Sequence, residues 1–431
     1  MFQLASLLSG CCCKSTLNIT LITLTAFIIP LLIYFKPEKI TGTLFNKNIA
    51  NYNNDENLYI NNLLLLEFFL FLLFLVNDLF IFYILYEALL IPMFILIIRY
   101  GSISKKIEAA YKFFIFTLAG SLLMLFGILF IYINFKTFDL NLLSFLLNKQ
   151  SFLIQSILWF SFIFSFLIKI PTFPFHIWLP FAHVQAPTSA SILLAALLLK
   201  VGFYGIIKFN HLLFFFINTF FSPIIILLAL ISILNSLLIA LRLIDLKQII
   251  AYSSIIHMNI FLIGFYCFNN ISIQGSLLSL ISHGLISSAL FFLIGILYNR
   301  YHSRVFSYFR GLCSFMPLYS FFFFLSILAN ISIPVACSFI GEYLILLGSL
   351  SYNVLITSFL FLILILSSFY SLWLINRLLF GQSSPYLSLF NDLSLSEFLI
   401  LSSLIFFTYF FGFFSYYLLD FYYLYSILIL L

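Results

Sequence analysis

Charge is what this chain has least of: Asp, Glu, Lys and Arg make up only 7% of its 431 residues. With 64% hydrophobic residues and a mean hydropathy of +1.20, a soluble domain would bury its core and still expose a large apolar surface. The start, MFQLASLLSGCCCKSTLNIT, lacks the basic n-region of a secretory signal and the Arg-rich pattern of a transit peptide, so insertion where the chain is made is expected. Metal-type cysteine spacing is missing too. Cys11, Cys12 and Cys13 are adjacent while Cys267, Cys313 and Cys337 are scattered, which argues against disulfide or cluster chemistry. No Lys/Arg run or stacking platform accompanies the net charge of +6, so no nucleic-acid partner is expected. No dinucleotide fingerprint occurs in a strand-turn-helix context, and the six histidines form no evident pair of haem-ligand helices. The expectation is no cofactor and no metal in this chain.

What is there is a succession of apolar runs long enough to cross a hydrocarbon layer. They fall at 17–35, 61–77, 79–99, 109–133, 152–183, 188–208, 212–242, 246–267, 276–298, 317–350, 353–378 and 397–418, the fifth and tenth interrupted by proline. An all-α polytopic membrane protein of about twelve helices is expected. Threading them alternately puts Lys36, Lys39, Lys47, Arg99, Lys105, Lys106, Lys112, Arg242, Lys247, Arg300, Arg304, Arg310 and Arg377 at one end. Only Lys14, Lys136, Lys149 and Lys208 fall at the other, an asymmetry that assigns the basic end to matrix or cytoplasm. The 60 Phe among many Ile and Asn residues fit an A/T-rich gene and point to organelle encoding.

Ionisable groups inside such spans cost several kcal/mol each, about 3 on insertion scales, and default to functional positions. They are Glu87 in FYILYEALLIP, Lys169 in FLIKIP, Lys200 in LLLKVGFYG, His257 in SSIIHMNIF, His283 in SLISHGLIS and Glu342 in SFIGEYLIL. Each alone could be a paired or packed structural group, a lone helical histidine especially. Six of them in successive helices favour a proton or cation pathway over a scaffold. Pro171 and Pro174 break the helix just after Lys169, which frees carbonyls at a negative dipole end where an ammonium is welcome. Movement of Glu87 towards or away from Lys169 would then switch the lysine between holding and releasing a proton. A second interruption places Pro334 eight residues before Glu342. Two sets of five spans, each with its fourth member broken, predict two inverted five-helix repeats. The division is a segment 1–60, repeats 61–210 and 211–378, and a C-terminal helix and tail 379–431.

The stretches FYILYEALLIPMFILIIRYG, KIPTFPFHIWLPFAHVQAPTSASILLAALLLKVGFYGIIK, LKQIIAYSSIIHMNIFLIG, SLISHGLISSALFFLIGILYNR and IPVACSFIGEYLIL resemble the antiporter-like subunits of respiratory complex I, NADH:ubiquinone oxidoreductase. A glutamate at Glu342, where two sister subunits carry lysine, points to the subunit-4 family among them. The resemblance implies a fourteen-helix fold that translocates protons. Glu87, Lys169, Lys200 and Glu342 match the family's essential acidic and basic positions, His257 and His283 its axial histidines, and His176 and His183 those around the first break. It also implies FMN, iron-sulfur clusters and ubiquinone in other subunits, and the two sister subunits, accessory subunits and phospholipids as partners, in the mitochondrial inner membrane. Two departures stand out. Phe181 and Gln185 replace a polar or charged residue and a glutamate, for which tuning rather than loss of function is expected. STLNITLITLTAFIIPLLIYF resembles the third helix of the family, and the room before it predicts that two helices are absent, or supplied by a separate polypeptide. The polar insert 36–62 is expected to contact a neighbouring subunit. A cation/proton antiporter subunit without redox partners is the competing reading.

Overall fold

The computed structural model describes residues 16–35, 49–101, 105–382, 384 and 392–430. Lys14, Lys36, Lys39, Lys47, Cys11 to Cys13 and residues 36–48 of the insert lie outside them. The helices that build the bundle are α1 (Thr16–Tyr34), α2 (Ile49–Leu75), α3 (Leu79–Ala88), α4 (Leu90–Tyr100), α5 (Lys106–Phe135), α6 (Phe152–Lys169) and α7 (Trp178–Gln185), with short helices at Leu140–Leu147 and Leu312–Phe315 in the connections. There follow α8 (Thr188–His211), α9 (Phe215–Ala240), α10 (Leu246–Tyr266) and α11 (Asn270–Tyr301). The chain continues through α12 (Pro317–Asn330), α13 (Cys337–Tyr352), α14 (Val354–Leu379), α15 (Leu395–Phe413) and α16 (Ser415–Leu430).

Eleven of these spans are long and apolar enough to cross a membrane, α3 with α4 counting as one, and the broken pair α12 and α13, tenth in chain order, completes the twelve. α3 gives way to α4 at Leu89 because Pro92 has no amide hydrogen to offer the Ala88 carbonyl. α16 is a further helix where the sequence suggested a tail. It packs on α1 and α11.

The helix ends gather as alternate threading requires. At the basic end the Leu246 amide donates to Arg304 O (3.0 Å), the Ser384 amide to Arg310 O (3.3 Å) and the Tyr100 hydroxyl to Asp55 O (2.7 Å). At the other end Asn269 donates to Gly348 O (2.8 Å), and the Leu79 amide to Phe138 O (3.1 Å).

Two repeats are visible in matching hydrogen bonds. Asp78 caps α3 and Asp245 caps α10, each accepting amides of its own first turn. The next amides, Leu79 and Leu246, reach across to the segments after α5 and α11, and both of those helices end on a left-handed residue, Lys136 (φ 54°) and His302 (φ 51°). The breaks correspond as well. Thr172 N donates to Leu167 O and Ile333 N to Leu328 O, both at 3.3 Å. Trp178 Nε1 then covers Ile168 O (2.9 Å), and Ser338 Oγ covers Ala329 O (2.6 Å).

α8, α10 and α11 are buried almost throughout, whereas α9 and α14 keep an outward apolar face, as lipid contact demands. α11 meets α13 closely because small residues line the seam. A Cβ on Gly341 would lie 2.8 Å from Ser279 Cβ, so only hydrogen lets the backbones approach this far. That approach carries Glu342 to His257 of α10.

Candidate functional site

Lys169, the last residue of α6, is 2% exposed, and its ammonium sits 3.2 Å from the centroid of the Tyr86 ring. The sequence reading that this ammonium serves the freed carbonyls is corrected here. Thr172 and Trp178 take those carbonyls, and Lys169 Nζ has no hydrogen-bond partner among the described residues. The lysine stem is long enough to leave the helix end and lie on the aromatic face. The Tyr86 hydroxyl is itself tied to Ser165 O (3.1 Å), which fixes the ring in place. Glu87, next in sequence, faces Ser121 and interacts electrostatically with Lys169 from the kink before Pro92.

Lys200 lies fully buried on α8, flanked by two π-helical stretches, Leu194–Leu198 and Ile206–His211. Its ammonium donates to Ala195 O and approaches His283 Nδ1 at 3.0 Å. The His283 ring centroid is 5.8 Å from that of His257, and His257 Nδ1 meets Glu342 Oε1 at 3.1 Å. Lys200, His283, His257 and Glu342 therefore form a row of buried titratable groups running from α8 through α11 and α10 to α13. His183 stacks on Phe291 at 4.5 Å with both ring nitrogens unbonded among the described residues, within electrostatic reach of Lys200, Lys247 and His283. It joins the row from the α7 side. His176 is not brought to it. That histidine occupies the turn after the first break, with Phe173 as its ring neighbour at 5.9 Å.

Matching the two breaks by their hydrogen bonds sets Asn330, rather than Glu342, opposite Lys169. Glu342 lies in the second half of its broken helix, facing His257.

Sequence reasoning placed Lys208 and Lys247 among the end charges, and both are buried. Lys208 donates to Val76 O and the Tyr204 hydroxyl, each at 2.6 Å. Lys247 is 0% exposed and donates to Ala186 O at 2.9 Å. Their four-carbon stems carry the charge inward from helix ends to carbonyls left free by loops. Arg304 joins Lys247, donating to Val184 O beside Asp245. Burial raises the Asp245 carboxyl above its ordinary range, and Arg304 opposes that shift. At the two departures, Lys112 rests 4.0 Å from the Phe181 ring, and Gln185 is buried with Oε1 unpartnered among the described residues.

The arrangement offers alternating acids, bases and cations in an apolar casing, suited to passing protons. Among the described residues no group of three His, Cys, Asp or Glu side chains is arranged to hold a metal.

Residues 76–371 match the family described as NADH:quinone oxidoreductase/Mrp antiporter, TM. NADH-ubiquinone oxidoreductase chain 4 of Chondrus crispus is 48% identical over 344 residues, 80% of this chain and 70% of that protein. The chain 4 of Acanthamoeba castellanii is 46% identical over 360 residues, 83% of this chain and 71% of that protein. A chain of respiratory complex I from Thermus thermophilus with bound NADH superposes with a TM-score of 0.80 at 28% identity, covering 96% of this chain and 84% of that one. A chain of the Mrp complex from a Dietzia species reaches a TM-score of 0.83 at 18% identity, covering 95% and 83%, a likeness of fold alone. With a match over most of its length and relatives near half identity, this chain belongs to the NADH:quinone oxidoreductase/Mrp antiporter membrane family.

Proposed function

We propose that this chain is a proton-translocating membrane-arm subunit of an NADH:ubiquinone oxidoreductase, coupling electron transfer elsewhere in the assembly to proton movement across the membrane. The observation that carries the reading is the row from Lys200 through His283 and His257 to Glu342, four helices contributing to one buried polar line. Glu87 gates Lys169 by its charge, Lys169 holds the proton over Tyr86, and Lys200 with the two histidines relays it to Glu342. His183 supports the relay, and His176 stands at its edge. The repeats 61–210 and 211–378 act as two half-channels. The relatives named chain 4 favour this reading over an antiporter without redox partners.

FMN, iron-sulfur clusters and ubiquinone belong to other subunits of such an assembly. Its sister antiporter-like subunits, accessory subunits and phospholipids are the partners, and the mitochondrial inner membrane is the location, with the gene in the organelle. The test is a Lys169→Met substitution in the assembled complex. The expected result is a normal amount of NADH-active complex on a native gel with a lowered proton-to-electron ratio in sealed membranes. An unchanged ratio would reduce the buried charges to scaffold.

A further inference from the structure

The two repeats share one set of junction hydrogen bonds but carry different side chains there. The Leu79 amide donates to Phe138 O and the Leu246 amide to Arg304 O, so Phe138 and Arg304 occupy one position. Two residues on from the capping aspartates, Phe80 corresponds to Lys247, and four residues before the left-handed helix ends, Tyr132 corresponds to Tyr298. In the first repeat the Phe138 ring lies nearly parallel to Phe80 at 5.2 Å and to Tyr132 at 4.7 Å, an aromatic stack that closes the junction without charge. In the second, the Arg304 guanidinium lies 4.1 Å from the Tyr298 ring, and Asp245 interacts electrostatically with both Arg304 and Lys247. Burying two cations is costly. Since the first repeat closes the same junction with aromatic rings, the charges answer to something beyond it.

That something is the connection between α7 and α8, in the other repeat. Ala186 is extended (ψ 149°) and Pro187 has no amide hydrogen, so α7 stops and its last carbonyls lose the donors a continuing helix would supply. Two side chains of the second repeat replace them: Arg304 Nη1 donates to Val184 O, and Lys247 Nζ donates to Ala186 O at 2.9 Å. The negative end of the helix dipole suits both cations. α11 also presses on the start of α8, where a Cβ on Gly295 would lie 2.6 Å from Thr188 Cγ2. His183 directly precedes Val184, and its ring lies flat against Phe291 of α11, 4.5 Å away. Backbone and ring of this histidine are therefore both set by the second repeat, within electrostatic reach of Lys200 and His283.

We propose that Lys247 and Arg304 are positioning residues: from the second repeat they hold the α7–α8 connection of the first, and so keep His183 in place beside Lys200 and His283. The two half-channels are then joined at the basic end by two donors, and a shift of the α10–α11 junction moves His183 with it. Neither cation has to give up a proton for this. The consequence for pumping rests on the proton-translocating reading, whereas the hold on the connection rests on the hydrogen bonds alone.

The test uses the intact assembled complex. Lys247→Met and Arg304→Met keep most of each stem and remove the donor. Both are expected to lower the proton-to-electron ratio in sealed membranes, and Arg304→Lys to recover most of it. His183→Phe should lower the ratio as well, because the stack on Phe291 survives and the imidazole is lost. If Lys247 acts through His183, Lys247→Met added to His183→Phe brings no further loss. Losses that add, or wild-type ratios in both methionine variants, would overturn the proposal, while a lowered ratio in Lys169→Met would leave the proton reading standing. A density map of Lys247→Met gives a readout independent of pumping. The 184–186 segment is expected to move away from the start of α10 and His183 to leave Phe291, and an unmoved His183 overturns the proposal. A wild-type ratio in Lys169→Met sinks the proton reading, and the map then decides the hold alone. Lys247→Gln, neutral and one bond shorter than lysine, takes the place of Lys247→Met in every arm should that variant not assemble.

Discussion

Tyr86 holds what the sequence left unassigned beside Lys169. A cation over an aromatic face away from water gains about 2 kcal/mol, and no hydrogen bond to the ammonium competes with it among the described residues. Tyr86→Leu should therefore lower the proton-to-electron ratio of the assembled complex, because the charged form of Lys169 loses its support. Tyr86→Phe keeps the ring, forfeits only the bond to Ser165 O at about 1 kcal/mol, and should pump nearly as wild type. Equal loss in both variants would assign the effect to the hydroxyl. This contrast also marks the limit of what could be read beforehand. Glu87, Lys169, Lys200, His257, His283 and Glu342 were legible because an ionisable group in an apolar run is costly wherever it points. Tyr86 was not, since one tyrosine among 25 in a membrane bundle carries no signal of its own. Lys247 was misplaced for the opposite reason: a charge beside a loop satisfies the topology rule whether it faces out or in.

At the scale of elements, the first break depends on a glycine in the neighbouring helix. A Cβ on Gly202 of α8 would stand 2.9 Å from Ile170 Cγ1 and 3.2 Å from both Ile170 N and Lys169 Cβ. All three atoms belong to the broken end itself, Lys169 and the Ile170 that caps it. Gly202→Ala should push α6 from α8 at a cost of about 1–3 kcal/mol, and displace Lys169 from Tyr86. The expected outcome is a complex that assembles in reduced amount and pumps fewer protons per electron. Wild-type yield and ratio would mean that the two helices give way freely. The elements were largely legible, since twelve apolar runs became eleven long spans and one split pair. The interiors of α8 and α16 were not. The π-helical turns around Lys200 arise from packing on all sides rather than from any residue pattern, and α16 follows α15 across a boundary that hydropathy alone does not resolve.

Across the whole molecule, an ion pair between described residues joins the second repeat to α15. Arg300 Nη2 and Glu397 Oε2 lie 2.8 Å apart with both side chains 14% exposed, and Arg300 also donates to Asp392 O at 3.2 Å. Glu397 additionally accepts the Ser394 amide at 2.9 Å, while the Asp392 carboxylate accepts the Leu318 and Tyr319 amides at the start of α12. The chain between α11 and α15 is thus fastened at the basic end, above the second break. Removing one charge leaves the other desolvated, which typically costs about 3–5 kcal/mol, whereas exchanging both for apolar residues is often close to neutral. Glu397→Met alone should lower the yield and the thermal midpoint of the assembled complex more than the Arg300→Met, Glu397→Met pair does. Native-gel yield and a thermal-shift series on the single and double variants would measure this. A double variant worse than either single would instead mean that the pair is a net source of stability, and that α15 is held to the repeat by charge rather than by the apolar seam beneath it.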